Sequence, residues 1–130
     1  METEIGAWSE AAPAEARKAP SRPVDLVHLS RYTLGERELE REVLGLFCTQ
    51  SVVYLTRLRE APSHKEWKEA VHSLKGSAQA IGAWRAAAAA ERAETLPAEA
   101  FNAGRHARYL EVESTLGEAK AYISSLLEDR

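Results

Sequence analysis

His72, Lys75 and Gly76 lie within five residues of one another in the segment Val71-His72-Ser73-Leu74-Lys75-Gly76-Ser77-Ala78. Together they supply the parts of a group-transfer site. An imidazole is a covalent nucleophile, and its ordinary pKa of about 6.5 leaves much of it neutral at pH 7. An ammonium one turn away stabilises an oxyanion such as a phosphate carried on the ring. A glycine alongside removes a side chain from the surface and lets another backbone come close. A phosphorylated imidazole is a reactive phosphoramidate, suited to a carrier that accepts a phosphoryl group and hands it on. At 100° per helical residue, Lys68, Lys75, Gly76 and Gln79 share the face of His72, at −4, +3, +4 and +7. That face points away from a stripe centred on Val71, Leu74 and Ala78, so His72 is expected at the surface. Like-charge repulsion from Lys68 and Lys75 is expected to favour the neutral, nucleophilic ring. Gly76 costs roughly 1 kcal/mol relative to alanine inside a helix, and an exposed position offers no packing reason for that cost.

The other candidates carry less chemistry. His64 precedes His72 by eight residues, about 12 Å along a helix, too far to share a metal ion. It is retained as a residue of a docking face. His28 and His106 are isolated, and Cys48 beside Phe47 reads as a core thiol. Ser73 and Ser77 lack the Gly-x-Ser-x-Gly elbow of a hydrolase. The chain has no GxxxxGK[ST] loop, no GxGxxG segment and no His-x-x-x-His pair, which speaks against a nucleotide site and a metalloenzyme. Lys65, Lys68, Lys75 and Arg85 form a mildly basic strip that would steer an acidic partner. Leu34, Val43 or Leu44 are candidates for an apolar rim around His72.

The elements that position these residues read as helices. Asp25 is an N-cap for a short helix carrying Leu26 and Leu29. Thr33-Leu34-Gly35-Glu36 fits a capping box and predicts a second helix from near Gly35 to about Arg59. Its stripe is Leu39, Val43, Phe47, Tyr54 and Leu58, widened by Leu46, Val53 and Leu55. Pro62 breaks the chain, and Ser63-His64-Lys65-Glu66 is a second capping box opening a third helix. There Trp67, Val71, Leu74, Ala78 and Ile81 repeat at 4, 3, 4, 3, the spacing of a helix in a bundle. Gly82 ends or loosens it. Trp84 to about Glu94 reads as an alanine-rich fourth helix. After Pro97, a fifth runs from about Ala98 to Leu127, with a stripe of Ala107, Leu110, Leu116, Ala119, Ile123 and Leu126. No period-2 alternation argues for a strand. Short connections favour antiparallel neighbours. The expectation is an all-α, up-down four-helix bundle with a short additional N-terminal helix. Residues 1–22, proline- and alanine-rich and containing Trp8, are expected to be a loosely attached leader, and residues 23–130 the domain.

Composition narrows the function classes. A chain of 130 residues fits one domain. Its 17 basic and 20 acidic residues leave a net charge of −3, without the basic excess of a nucleic-acid binder. A single cysteine excludes an internal disulfide and a multi-cysteine zinc site. The acidic start and the lack of a long apolar run suggest neither a signal peptide nor a membrane span, so a cytoplasmic monomer is expected.

The run from His72 to Ala78, continuing to Ile81-Gly82-Ala83, resembles the signature of histidine-containing phosphotransfer (HPt) domains of two-component signalling. The likeness extends over about residues 24 to 127 and is strongest between Ala61 and Glu94. It implies that His72 accepts the phosphoryl group, that Lys75 lies near it, and that Gly76 makes room for the partner. Glu94 falls where some members carry a polar residue, often glutamine, that orients the ring. Ala86 and Ala93 stand where larger aliphatics are common, a departure that leaves the motif intact and bears only on how tightly the fourth helix packs. The implied function is phosphorelay: His72 takes a phosphoryl group from an aspartate of a response-regulator receiver domain and gives it to another receiver. A hybrid histidine kinase is the implied source. Such a protein is a carrier, not an enzyme with its own kinase or nucleotide site, and needs no cofactor of its own, with Mg2+ on the receiver. The rival reading is a helical docking module that binds a receiver or other partner without carrying phosphate.

Overall fold

The computed structural model describes residues 22–128. Among them are five α-helices, one short 3-10 turn and no strand. Helix α1 spans Leu26–Thr33, α2 Arg37–Glu60, α3 His64–Ile81, α4 Trp84–Glu94 and α5 Phe101–Glu128, with a 3-10 turn at Ala98–Ala100 before α5. The expected leader, Trp8 included, lies outside the described residues except for Arg22.

Local chemistry explains most of these boundaries. Asp25 caps α1 by accepting from the His28 N–H at 3.1 Å. Ser63 caps α3 in the same way through the Glu66 N–H, and its hydroxyl donates to the Glu66 carboxylate at 2.6 Å. At the other end of α3, Gly82 turns left-handed at φ 78°. There the Ala83 N–H reaches Ala78 O and the Gly82 N–H reaches Gln79 O, closing the helix in the manner of a Schellman motif. The expected box at Thr33 does not form. Thr33 is the last residue of α1, Leu34 is its left-handed C-cap, and α2 begins only at Arg37 behind an N-cap, Glu36, that makes no side-chain cap bond. The Thr33 hydroxyl instead donates to the Glu40 carboxylate. The first turn after Pro97 is 3-10, so α5 starts at Phe101 rather than at Ala98.

Helices α2 to α5 pack in sequence, and α5 returns against α2, closing a four-helix ring. Short connections make it an antiparallel, up-down bundle. Helix α1 lies across α2 and α3. The core is built on Trp67, Val71, Leu74 and Ala78 of α3, Phe47 and Leu58 of α2, and Val112, Leu116 and Ile123 of α5. Helix α4 enters it with Ala86, Ala87, Ala89, Ala90 and Ala93, all buried. Ala86 and Ala93, where larger aliphatics were the common choice, are both buried at this contact. The expected stripes of α2 and α5 hold in part, since Val43, Phe47, Tyr54, Leu55 and Leu58 of α2 and Leu116, Ala119, Ile123 and Leu126 of α5 lie in or against the core. Leu39, Leu46, Val53, Ala107 and Leu110 are exposed, while Leu44, Ser51 and Val112 are buried.

Candidate functional site

Helix α3 sets the site because it has one buried face and one bare face. Val71, Leu74 and Ala78 enter the core, and the 100° step between residues turns His72 outward. Its side chain is 72% exposed. The ring nevertheless has one hydrogen-bond partner. Nδ1 lies 2.8 Å from Oε2 of Glu94, at the end of α4. A carboxylate with a pKa below its ordinary value only accepts hydrogen bonds at neutral pH, so Nδ1 carries the proton. In the neutral ring, the lone pair is therefore on Nε2, for which no partner exists among the described residues. The tautomer is set by the bond at the opposite nitrogen.

Glu94 also binds Lys75. Its Oε1 lies 2.6 Å from Lys75 Nζ, and both side chains are largely covered, at 19% and 22% exposure. The bond to Lys75 chiefly holds the Glu94 carboxyl below its usual range. Partial burial pushes the other way, and the bond from His72 adds to the lowering. The same bond to Glu94 raises the Lys75 ammonium above its usual range. One carboxylate thus bridges the imidazole and the ammonium. The Lys75 charge is already engaged by Glu94 before any phosphoryl group arrives.

Gly76 leaves the surface open beside the ring. A Cβ built there meets nothing within 4 Å. On the helical wheel Gly76 is about 40° from His72, on the side leading to a groove between α3 and α2. That groove is lined by Ser77 and Ala80 of α3 and by Val43, Leu46, Phe47 and Tyr54 of α2. Leu46 is 60% exposed, and Val53 is also exposed on α2. These two apolar side chains give an incoming protein something to cover. Their periodicity had placed them in the core stripe, and the signal for exposure was only their offset from Leu44, Phe47 and Leu58.

The remaining sequence candidates divide. Lys68 and Gln79 are exposed on the face of α3 that carries His72. His64 does not join them. Its Nε2 lies 2.7 Å from Leu96 O, and its ring packs edge-on against Phe101 with centroids 5.6 Å apart. Of the apolar rim candidates, Leu44 is buried, Val43 lines the groove, and Leu34 is exposed at the turn between α1 and α2. The basic strip is reduced, since Lys75 is paired with Glu94 and Arg85 with Glu118 at 3.6 Å. Lys65 and Lys68 remain exposed. Among the described residues, no three of His, Cys, Asp and Glu converge as metal ligands. No described helix is long and apolar enough to cross a membrane.

A family model described as Hpt domain matches residues 42–128, which include α3, α4, α5 and most of α2. No curated protein and no solved structure matches the chain.

Proposed function

The chain belongs to the Hpt domain family, with a phosphotransfer-related role in two-component signalling, and from that membership we propose that it is a phosphorelay carrier whose phospho-accepting group is Nε2 of His72. The supporting observation is the exposed imidazole with Nδ1 bonded to Glu94 and Nε2 unpartnered, next to the open surface at Gly76.

The donor in this reading is an aspartyl phosphate on a receiver domain. The Nε2 lone pair attacks phosphorus in line. The bond from phosphorus to the aspartyl oxygen breaks, and its electron pair remains on the receiver carboxylate. The Nδ1 proton stays in place, so the phosphorylated ring is a cation with Glu94 as its counter-ion. Onward transfer to a second receiver reverses these steps, with the imidazole leaving as a neutral ring. Catalysis is mainly positioning and electrostatics. This chain contributes the oriented nucleophile, the Glu94–Lys75 pair and the docking face. The receiver contributes its aspartate and Mg2+. Leu46 and Val53, with the groove beside Gly76, form the apolar part of that face, and Lys68 steers the acidic receiver pocket.

The test is incubation of the full chain with a phosphorylated receiver, scoring label that is acid-labile and base-stable. Wild type takes up the label and His72→Gln does not. Equal label on the variant would overturn the assignment. Wild type that binds the receiver without label would favour a docking module.

A further inference from the structure

Glu94 is the last residue of α4, where a helix has few bonds of its own to hold it. Its closing backbone bonds are Thr95 N–H to Glu91 O at 3.0 Å and a longer one from Leu96 N–H to Ala93 O at 3.4 Å. Two further bonds come from side chains of α3. The Trp67 indole N–H donates to Ala93 O at 2.9 Å. His64 Nε2 lies 2.7 Å from Leu96 O. A carbonyl only accepts, so His64 Nε2 is the donor. The two carbonyls bracket Glu94, one residue before it and two after it.

Both donors are themselves immobilised. Trp67 is fully buried. Its ring lies edge-on to Phe101 at 5.6 Å, and the same Phe101 ring packs edge-on against His64. The Arg105 guanidinium stands 4.5 Å above Phe101 and 5.5 Å above Trp67. Apolar filling alone would be met by phenylalanine, which has no N–H to satisfy, whereas tryptophan brings a donor that finds a carbonyl next to Glu94.

We propose that Trp67 and His64 are positioning residues of the phosphotransfer site, holding the end of α4 so that one carboxylate reaches both His72 Nδ1 and Lys75 Nζ. The significance for transfer rests on the reading given above, but the positioning itself is measurable without any receiver. On α3, His64 and Trp67 act on the backbone around Glu94, and His72 and Lys75 receive its side chain. The nucleophile and the scaffold that orients its partner therefore come from the same helix.

The experiment is NMR on the full chain, following the ring nitrogens of His72 and the side-chain carboxyl of Glu94 in Trp67→Phe, His64→Ala and His64→Gln. Ile123→Val, in the buried face of α5, controls for loss of stability. In folded Trp67→Phe and His64→Ala, the Nδ1–H population of His72 falls, and Glu94 titrates nearer the ordinary glutamate value. His64→Gln, which keeps an N–H donor, stays closer to wild type, and Ile123→Val changes neither signal. With a phosphorylated receiver, Trp67→Phe transfers roughly 10- to 100-fold more slowly, the scale expected for a small misplacement at a reacting centre. Folded variants with His72 and Glu94 signals identical to wild type would overturn the proposal, as would an equal change in Ile123→Val. Should Trp67→Phe not fold, the comparison of His64→Ala with His64→Gln decides. Failure of wild type to take label would count against the phosphorelay reading and leave the NMR result unchanged.

Discussion

At the scale of single residues, the site depends on which atom of His72 is left free, and that is decided 22 positions away by Glu94. His72, Lys75 and Gly76 were legible because they share one helical segment. The bridge through Glu94 to Lys75 was not, since no local spacing connects α3 with the end of α4. It has a definite pH dependence. The Glu94 carboxyl is lowered, mainly by Lys75, so its contribution is present above the ordinary glutamate pKa of about 4.3 and lost as pH falls through the native value. Lys75 is raised by Glu94, so its contribution is present below about 10.4 and lost as pH rises through its native value. The stability difference between wild type and Glu94→Gln should therefore be largest near neutrality and shrink in acid. Urea unfolding midpoints from pH 2 to pH 7 measure it, and a pH-independent difference would refute the assignment. Gly76 allows a second prediction. A Cβ there meets nothing within 4 Å, so Gly76→Ala should stabilise the fold by about 1 kcal/mol. Gly76→Gln should also fold but slow transfer, because the longer side chain fills the approach to Nε2. Unchanged transfer by Gly76→Gln would show that the open surface is not used.

At the scale of elements, capping chemistry was legible where one side chain had a single task. Asp25 and Ser63 cap as expected. Thr33 matched the same pattern but ends α1, because the tight turn through Leu34, at φ 55°, takes its place between two helices. Gly82 was legible as a terminator, but its tertiary role was not. Asp25 N–H donates to Gly82 O at 2.9 Å, and the Asp25 carboxylate accepts from the Trp84 indole at 3.1 Å. This knot joins α1 to the turn between α3 and α4. A Cβ at position 82 would lie 2.7 Å from Asp25 Cβ and 2.8 Å from its carbonyl oxygen, at a backbone φ of 78°. Gly82→Ala should destabilise by about 2 kcal/mol or more, since the left-handed conformation alone costs roughly 1–2 and the contact adds to it. Asp25→Ala should cost about 1–2 kcal/mol through the lost cap and indole bond. Burial pushes the Asp25 carboxyl up, but the bonds from Trp84 and the His28 N–H outweigh it and leave it below its usual range. Its contribution therefore weakens as pH falls through that lowered value, and thermal melts of wild type and Asp25→Ala should converge in acid. Melts that stay parallel would mean the carboxylate does not hold the knot.

At the scale of the whole molecule, the bundle was legible because α3 keeps its 4, 3, 4, 3 apolar spacing and is buried along all of it. Helices α2 and α5 were harder to place because apolar side chains also occupy their exposed faces. In α2 the inward positions include Ser51, whose hydroxyl is satisfied within the helix by Phe47 O at 2.7 Å. A polar residue there weakens the apolar signal on the buried side, and exposed Leu46 and Val53 widen the expected stripe beyond it. The alanine run of α4 was legible as close packing, and its consequence reaches the site. Ala86, Ala89, Ala90 and Ala93 are buried between α3 and α5, whereas Ala88 faces outward. The position of α4, and with it that of Glu94, is set by how near those methyl groups allow the helices to come. Enlarging one of them should thus disturb fold and function together. Ala89→Leu should destabilise by about 1–3 kcal/mol through overpacking, displace α4 and weaken the bond from Glu94 to His72. Ala88→Leu adds the same atoms on the exposed face and should stay within about 0.5 kcal/mol of wild type, with transfer unchanged. Urea unfolding and phosphotransfer rates on this pair separate close approach from helix propensity. Equal behaviour of the two variants would mean that the spacing of α4 does not govern the site.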